Sequence, residues 1–143
     1  MVTVWADNQM ADTRADPEPV QPEVRSVQRT FTEFTFDAAH NSAPHGSMHG
    51  HTFRVEVAMT GSPHPTYGWS HNLLEVHKIT DELRSKLDHT LLNDIEGLPY
   101  ASLENVTKWI WNYLKPRLDG LTEVTVRRGF TGQIEGCSYS ERT

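Results

Sequence analysis

The sequence predicts an α+β domain in which two helices cover one face of a four-stranded antiparallel sheet. Three observations predict it. Phe31–Phe36 and Thr52–Val57 alternate and are rich in β-branched and aromatic residues, the pattern of half-buried strands. Leu73, Val76, Ile79, Leu83 and Leu87 recur at helical spacing with charges between them. Leu121–Arg127 alternates again, Gly129 and Gly132 punctuate, and Ile134–Tyr139 returns, so the domain closes on a hairpin. The order β-β-α-α-β-β groups strands at both ends. Such a sheet leaves two edges and one bare face, which oligomerisation would cover.

A length of 143 residues suits one domain that buries a core without staples. A charged fraction of 22%, a single cysteine and a negative mean hydropathy describe a soluble protein that needs no disulfides. The net charge of −6 and the lack of a Lys/Arg run exclude general binding to nucleic acid or anionic membranes, since nothing would neutralise the phosphates. No apolar run approaches the roughly 20 residues needed to cross a bilayer. Met1–Asp7 has neither a basic region nor a long apolar one, which makes the cytoplasm the expected compartment.

Residues 1–27 are rich in Asp, Glu, Pro, Gln and Ala and read as a flexible N-terminal arm ahead of a domain over 28–143. The first strand then places Phe34 and Phe36 on one face. The compact loop Asn41–Met48 turns the chain back into a second strand that runs through Val57 and Met59 to Gly61. Ser62–Gly68 is turn-rich, and the first helix follows for about four turns to Leu87. Ser102 is the expected N-cap of the second helix, with Glu104 at its positive end. The apolar set of that helix is Val106, Trp109, Ile110, Tyr113 and Leu114, and Pro116 stops it.

Chemistry concentrates between Phe34 and Val57. His49 and His51 are two apart at the start of a strand and share a face; His40 closes the preceding strand, and the short loop brings it alongside. Three imidazoles then converge. Three neutral imidazoles with an open fourth position make a catalytic rather than a structural zinc site. Structural sites are closed by thiolate-rich sets, and the one cysteine here, Cys137, is far along the chain. Zn2+ on His40, His49 and His51 is therefore the expected cofactor.

The ordered set Phe36-Asp37-Ala38-Ala39-His40, His49-Gly50-His51, Gly68-Trp69, Leu87-Asp88-His89, Leu92-Asn93-Asp94, Lys108-Trp109-Ile110-Trp111, Lys115-Pro116 and Gly136-Cys137-Ser138-Tyr139 resembles the 6-pyruvoyl- and 6-carboxy-tetrahydropterin synthase family over about residues 30–140. The resemblance implies the tunnelling fold (T-fold): subunits of antiparallel sheet and two helices joined edge to edge into an oligomeric barrel. It implies a homo-oligomer, tetramer or hexamer, with a small-molecule substrate held at subunit interfaces, and zinc on the three histidines. It also implies that Asp88 and His89 handle protons, the Asp orienting the His and setting its tautomer. Read alone, the same pair is a helix C-terminal cap.

Two departures from the family bear on function. Four residues before the His-Gly-His pair, where family members of the 6-carboxy branch carry a catalytic cysteine, this chain has His45, and no cysteine occurs in its first 136 residues. His45 is a candidate catalytic base or fourth ligand, and equally a loop histidine facing solvent. In the last hairpin the family has Val-x-Val-x-Glu-Thr, whose glutamate pairs with donor N–H groups of the pterin; Val124-Thr125-Val126-Arg127-Arg128-Gly129 puts Arg128 there. A five-donor cation has replaced an acceptor. Glu135, across the turn, is the residue that would restore an acceptor, and Glu104, Arg128 and Glu135 are the candidate substrate-binding residues. Asn72 stands where the family often has Asp.

Three readings stand. In one, a zinc-dependent lyase or cyclase has changed its substrate to a small anionic or carbonyl-bearing metabolite of a specialised biosynthetic pathway, which Arg128 would suit. In another, a pterin synthase acts on dihydroneopterin triphosphate, with His45 replacing the thiol and Glu135 the anchor. The third is a non-catalytic zinc-binding scaffold, against which the retention of Asp88 and His89 argues.

Overall fold

The computed structural model describes residues 18, 24–41 and 46–142. Its elements are β1 (Gln28–His40), β2 (His49–Gly61), α1 (Leu73–Leu87), β3 (Thr90–Leu91), α2 (Leu103–Leu114), β4 (Leu121–Arg128) and β5 (Glu135–Tyr139), with a 3-10 turn at Leu92–Asp94. The sheet order is β3-β1-β2-β4-β5. The α+β expectation holds, and the strand count is corrected from four to five. β3 is two residues long and runs parallel to β1, pairing Ala38 with Thr90 and Ala39 with Leu91. It has no pattern of its own; the chain leaving α1 is steered onto the edge of β1 when the His89 N–H donates to the Asp37 carbonyl at 2.7 Å.

β1 and β2 form a long antiparallel ladder from Gln28↔Gly61 to His40↔His49. Alternation turns Phe34, Phe36, Ala38 and His40 of β1, with Phe53, Val55, Val57 and Met59 of β2, toward the helices. α1 lies over β1, and α2 over β4 and β5. Asn72 caps α1, its Oδ1 accepting from the Leu74 N–H at 3.0 Å, so the replacement of Asp by Asn keeps the cap. Ser102 caps α2 as expected, accepting from the Asn105 N–H at 3.2 Å.

The buried face of α2 is corrected. Leu103, Val106, Thr107, Ile110, Trp111 and Leu114 are buried, while Trp109 and Tyr113 stack on each other at the half-buried rim with centroids 6.0 Å apart. Trp111 turns inward because it meets Tyr139 of β5 at 5.3 Å, and Trp109 stays outside, its indole N–H donating to the Glu96 carbonyl at 3.0 Å.

The other face of the sheet is uncovered by helices and charged. Arg29 bridges Glu56 at 2.7 Å and Glu123 at 3.1 Å, and Arg127 reaches Glu56 at 3.3 Å. The β4–β5 hairpin depends on Gly129, at φ +87, where a Cβ would lie 2.7 Å from the Gln133 carbonyl oxygen. Among the described residues no helix is long and apolar enough to cross a membrane. Apart from residues 18 and 24–27, the arm expected over 1–27 lies outside the described residues, as does His45.

Candidate metal centre

The β1–β2 register sets His40 opposite His49 and Ala38 opposite His51, so all three imidazoles stand on the helix-covered face at one end of the ladder. Ring centroids are 4.7 Å apart for His40–His49, 5.0 Å for His40–His51 and 4.7 Å for His49–His51. One nitrogen of each lies within 4.8 Å of the others. Phe53 forms the floor, its ring 5.6 Å from those of both His40 and His51.

Outer partners fix two of the rings. His40 is fully buried and its Nδ1 donates to the Ala101 carbonyl at 2.7 Å, just before α2. His49 Nδ1 donates to the Ser47 carbonyl at 2.9 Å. Donation at Nδ1 leaves the Nε2 lone pair as the ligand, the usual second-layer arrangement of a metal-bound histidine. Nε2 of His40 and of His51 are buried with no hydrogen-bond partner among the described residues. Orphaned polar atoms cost about 1–3 kcal/mol each, so two of them facing one point argue for a cation there. Burial, above all, holds the His40 and His51 rings below the ordinary imidazole pKa, which keeps them in the neutral form that ligates. Three neutral imidazole nitrogens with an open fourth position are a donor set that would suit Zn2+.

Asp88 and His89 form a second cluster at the end of α1. Asp88 Oδ1 accepts from the Asp37 N–H at 2.9 Å, and Oδ2 lies 2.9 Å from His89 Nδ1 and 3.3 Å from Arg84 Nη2. The Asp37 amide first, then His89 and Arg84, hold the Asp88 carboxyl below the usual carboxylate range. His89 has φ +58, a left-handed conformation that a histidine adopts at some cost, and its side chain is 79% exposed. The backbone bond to Asp37 imposes that conformation, and the dyad projects Nε2 outward.

His89 borders an open cleft of about 560 Å³ lined also by Asp37, Ala39, Gly50, His51 and Thr52. By alternation Asp37, Ala39 and Thr52 point away from the helices, opposite to His40 and His51. Among the described residues the His89 ring bonds to Asp88 alone, and no hydrogen bond joins the dyad to the three histidines, although His51 borders the same cleft.

Of the substrate-binding candidates, two meet. Arg128 lies opposite Phe53 on one side and Glu135 on the other, and its Nε donates to Glu135 Oε1 at 2.9 Å. Phe53, opposite Arg128, packs its ring against those of His40 and His51, which places the pair beside the triad. Glu104 stands exposed in the first turn of α2, three residues after Ala101. Cys137 packs half-buried against the core.

One positioning residue carried no assigned role in the sequence. Asn93 accepts from the Asn41 N–H at 2.8 Å and donates to the carbonyls of Asn41 at 2.9 Å and Pro99 at 3.2 Å, tying the residue after His40 to the loop before α2. The Leu92-Asn93-Asp94 motif flagged it; its partners are backbone groups, which leave no trace in residue type.

Over 123 residues the chain is 31% identical to a 6-carboxy-5,6,7,8-tetrahydropterin synthase of Synechocystis sp., covering 78% of this chain and 89% of that protein. Over 94 residues it is 34% identical to a dihydroneopterin monophosphate aldolase of Pyrococcus furiosus, covering 64% of this chain and 79% of that one. Its fold matches the structure of Caenorhabditis elegans 6-pyruvoyl tetrahydropterin synthase with a TM-score of 0.73 at 21% identity, over 83% of this chain and 99% of that chain. Residues 29–136, which hold the three histidines, the Asp88–His89 pair and Arg128, match the family model itself, and the chain belongs to the 6-pyruvoyl tetrahydropterin synthase family.

Proposed function

We propose that the protein is a zinc-dependent lyase or cyclase that works as a homo-oligomer on a small anionic or carbonyl-bearing molecule. The observation that carries this reading is the convergence of three imidazoles with buried, partnerless Nε2 atoms on His40 and His51. Zinc held there would supply Lewis acidity to a substrate carbonyl or hydroxyl oxygen, acidifying the neighbouring C–H.

The remaining work falls to the chain's own groups. Asp88, kept anionic by the Asp37 amide, fixes the Nδ1 proton of His89 and leaves Nε2 to take up or release a proton. Because the dyad lies at the open β3 edge of the sheet with no hydrogen bond to the three histidines among the described residues, we read the active site as shared: the dyad of one copy serves the metal of another. The outer edge of β5 has no strand partner among the described residues, and β3 covers β1 only at Ala38 and Ala39. Edge-to-edge pairing there would bring copies together.

A changed substrate is supported by Arg128 in place of an acceptor, and by the two relatives, one named a synthase and the other an aldolase, whose reaction names differ. The second reading, a pterin synthase, draws on the Glu135 carboxylate, which pairs with Arg128 across the hairpin and offers an acceptor where the family has one. Incubating zinc-loaded protein with dihydroneopterin triphosphate and weighing the products separates them. The changed-substrate reading expects the pterin back unaltered; a pterin with a shortened or rearranged side chain would contradict it and point to His45 as the replacement for the thiol.

A further inference from the structure

We propose that Arg128 is an anion anchor of the metal centre, its Nη1 taking one oxygen of a carboxylate or phosphate whose neighbouring hydroxyl or carbonyl oxygen reaches the three histidines. The inference rests on reading the triad as the substrate site and names the group bound beside it.

The placement follows from register. Phe53 is the next inward-facing residue after His51 on β2, and Arg128 stands directly opposite it on β4. The Phe53 ring touches the His40 and His51 rings, so Arg128 and the triad share Phe53 as a neighbour. Glu135, opposite Arg128 on β5, holds Nε and thereby aims the fork.

A surface ion pair would have arranged these residues differently. The Arg128 side chain is 18% exposed and that of Glu135 is 55% exposed, so the cation faces inward and its counter-charge faces water. Solvent screens the carboxylate more than the guanidinium, which leaves a net positive potential on the side of the triad. Nη1 of Arg128 is buried with no hydrogen-bond partner among the described residues. Arginine cannot relieve this by losing a proton, and a buried charged donor is among the costliest groups to leave unmatched. An oxyanion matches it in charge and geometry; a neutral carbonyl matches the hydrogen bond alone.

The test is calorimetric titration of the full chain, zinc-loaded and metal-free, with lactate, inorganic phosphate and the neutral analogue lactamide. We expect Arg128→Gln to keep its zinc and lose about 10- to 100-fold in anion affinity, and Arg128→Lys to lose less because charge remains without the fork. Lactamide should bind the wild type about 10-fold or more weakly than lactate. Lactate ahead of phosphate identifies a carboxylate site, and the reverse a phosphate site. Equal anion affinity in wild type and Arg128→Gln, or lactamide binding as well as lactate, overturns the anchor. Failure of the wild type to take up zinc counts against the metal centre alone, since dependence on Arg128 in the metal-free titration still decides the anchor.

Discussion

At His40 three constraints meet in one ring: the strand alternation that points it inward, the Ala101 carbonyl that fixes its tautomer, and the burial that keeps it neutral. This has a pH consequence. A histidine whose folded pKa lies below its ordinary 6.5 binds fewer protons folded than unfolded, so the stability it allows is present above that value and lost as pH falls through it. Metal-free protein is therefore expected to melt at progressively lower temperature between about pH 7 and pH 5, with zinc affinity falling over the same range. A melting temperature that is flat or rises on acidification in that window contradicts the neutral assignment. His89 calls for a different experiment: His89→Ala should leave zinc content and assembly intact while turnover of whichever substrate the wild type converts drops about 10²- to 10⁴-fold, and undiminished turnover would remove His89 from the mechanism. Much of this scale was legible beforehand. The convergence of the three histidines follows from a two-residue spacing and a short loop. The roles of Ala101 and Asn93 do not, because a backbone carbonyl accepts whatever residue carries it.

Among the elements, the hairpin that joins β4 to β5 matters most to the site, since it sets Arg128 against Glu135. Gly129 and Gly132 both have positive φ, yet an added Cβ meets the Gln133 carbonyl at the first and nothing within 4 Å at the second. Gly132→Ala should thus cost only the left-handed penalty of about 1–2 kcal/mol, with Gly129→Ala costing distinctly more. Denaturant unfolding of the two variants checks the order, and equal losses would mean the hairpin relaxes around either. The elements also show why pattern reading succeeds unevenly. α1 carries one narrow stripe flanked by charges, and its span of about four turns ending at Leu87 matches the periodicity, whereas its Asn72 cap is a finding of the structure. α2 offers Trp109, Trp111 and Tyr113 within five positions, enough aromatic surface to fit two helical phases, and only contact with Tyr139 selects Trp111. β3 is set by two hydrogen bonds to Asp37, which no periodicity in two residues can announce.

On the scale of the whole molecule, one chain presents three convergent histidines beneath the helices, the Asp88–His89 pair at the β3 edge of the sheet, and a bare face laced with ion pairs. A shared site requires several copies, with a metal in each chain, and X-ray absorption of the zinc-loaded assembly reads that metal and its shell in place. The expected result is about one zinc per chain in a shell of three imidazole nitrogens and one further light atom, with the metal lost in His51→Ala. A shell with fewer than two imidazoles, or zinc retained in full by His51→Ala, would contradict it.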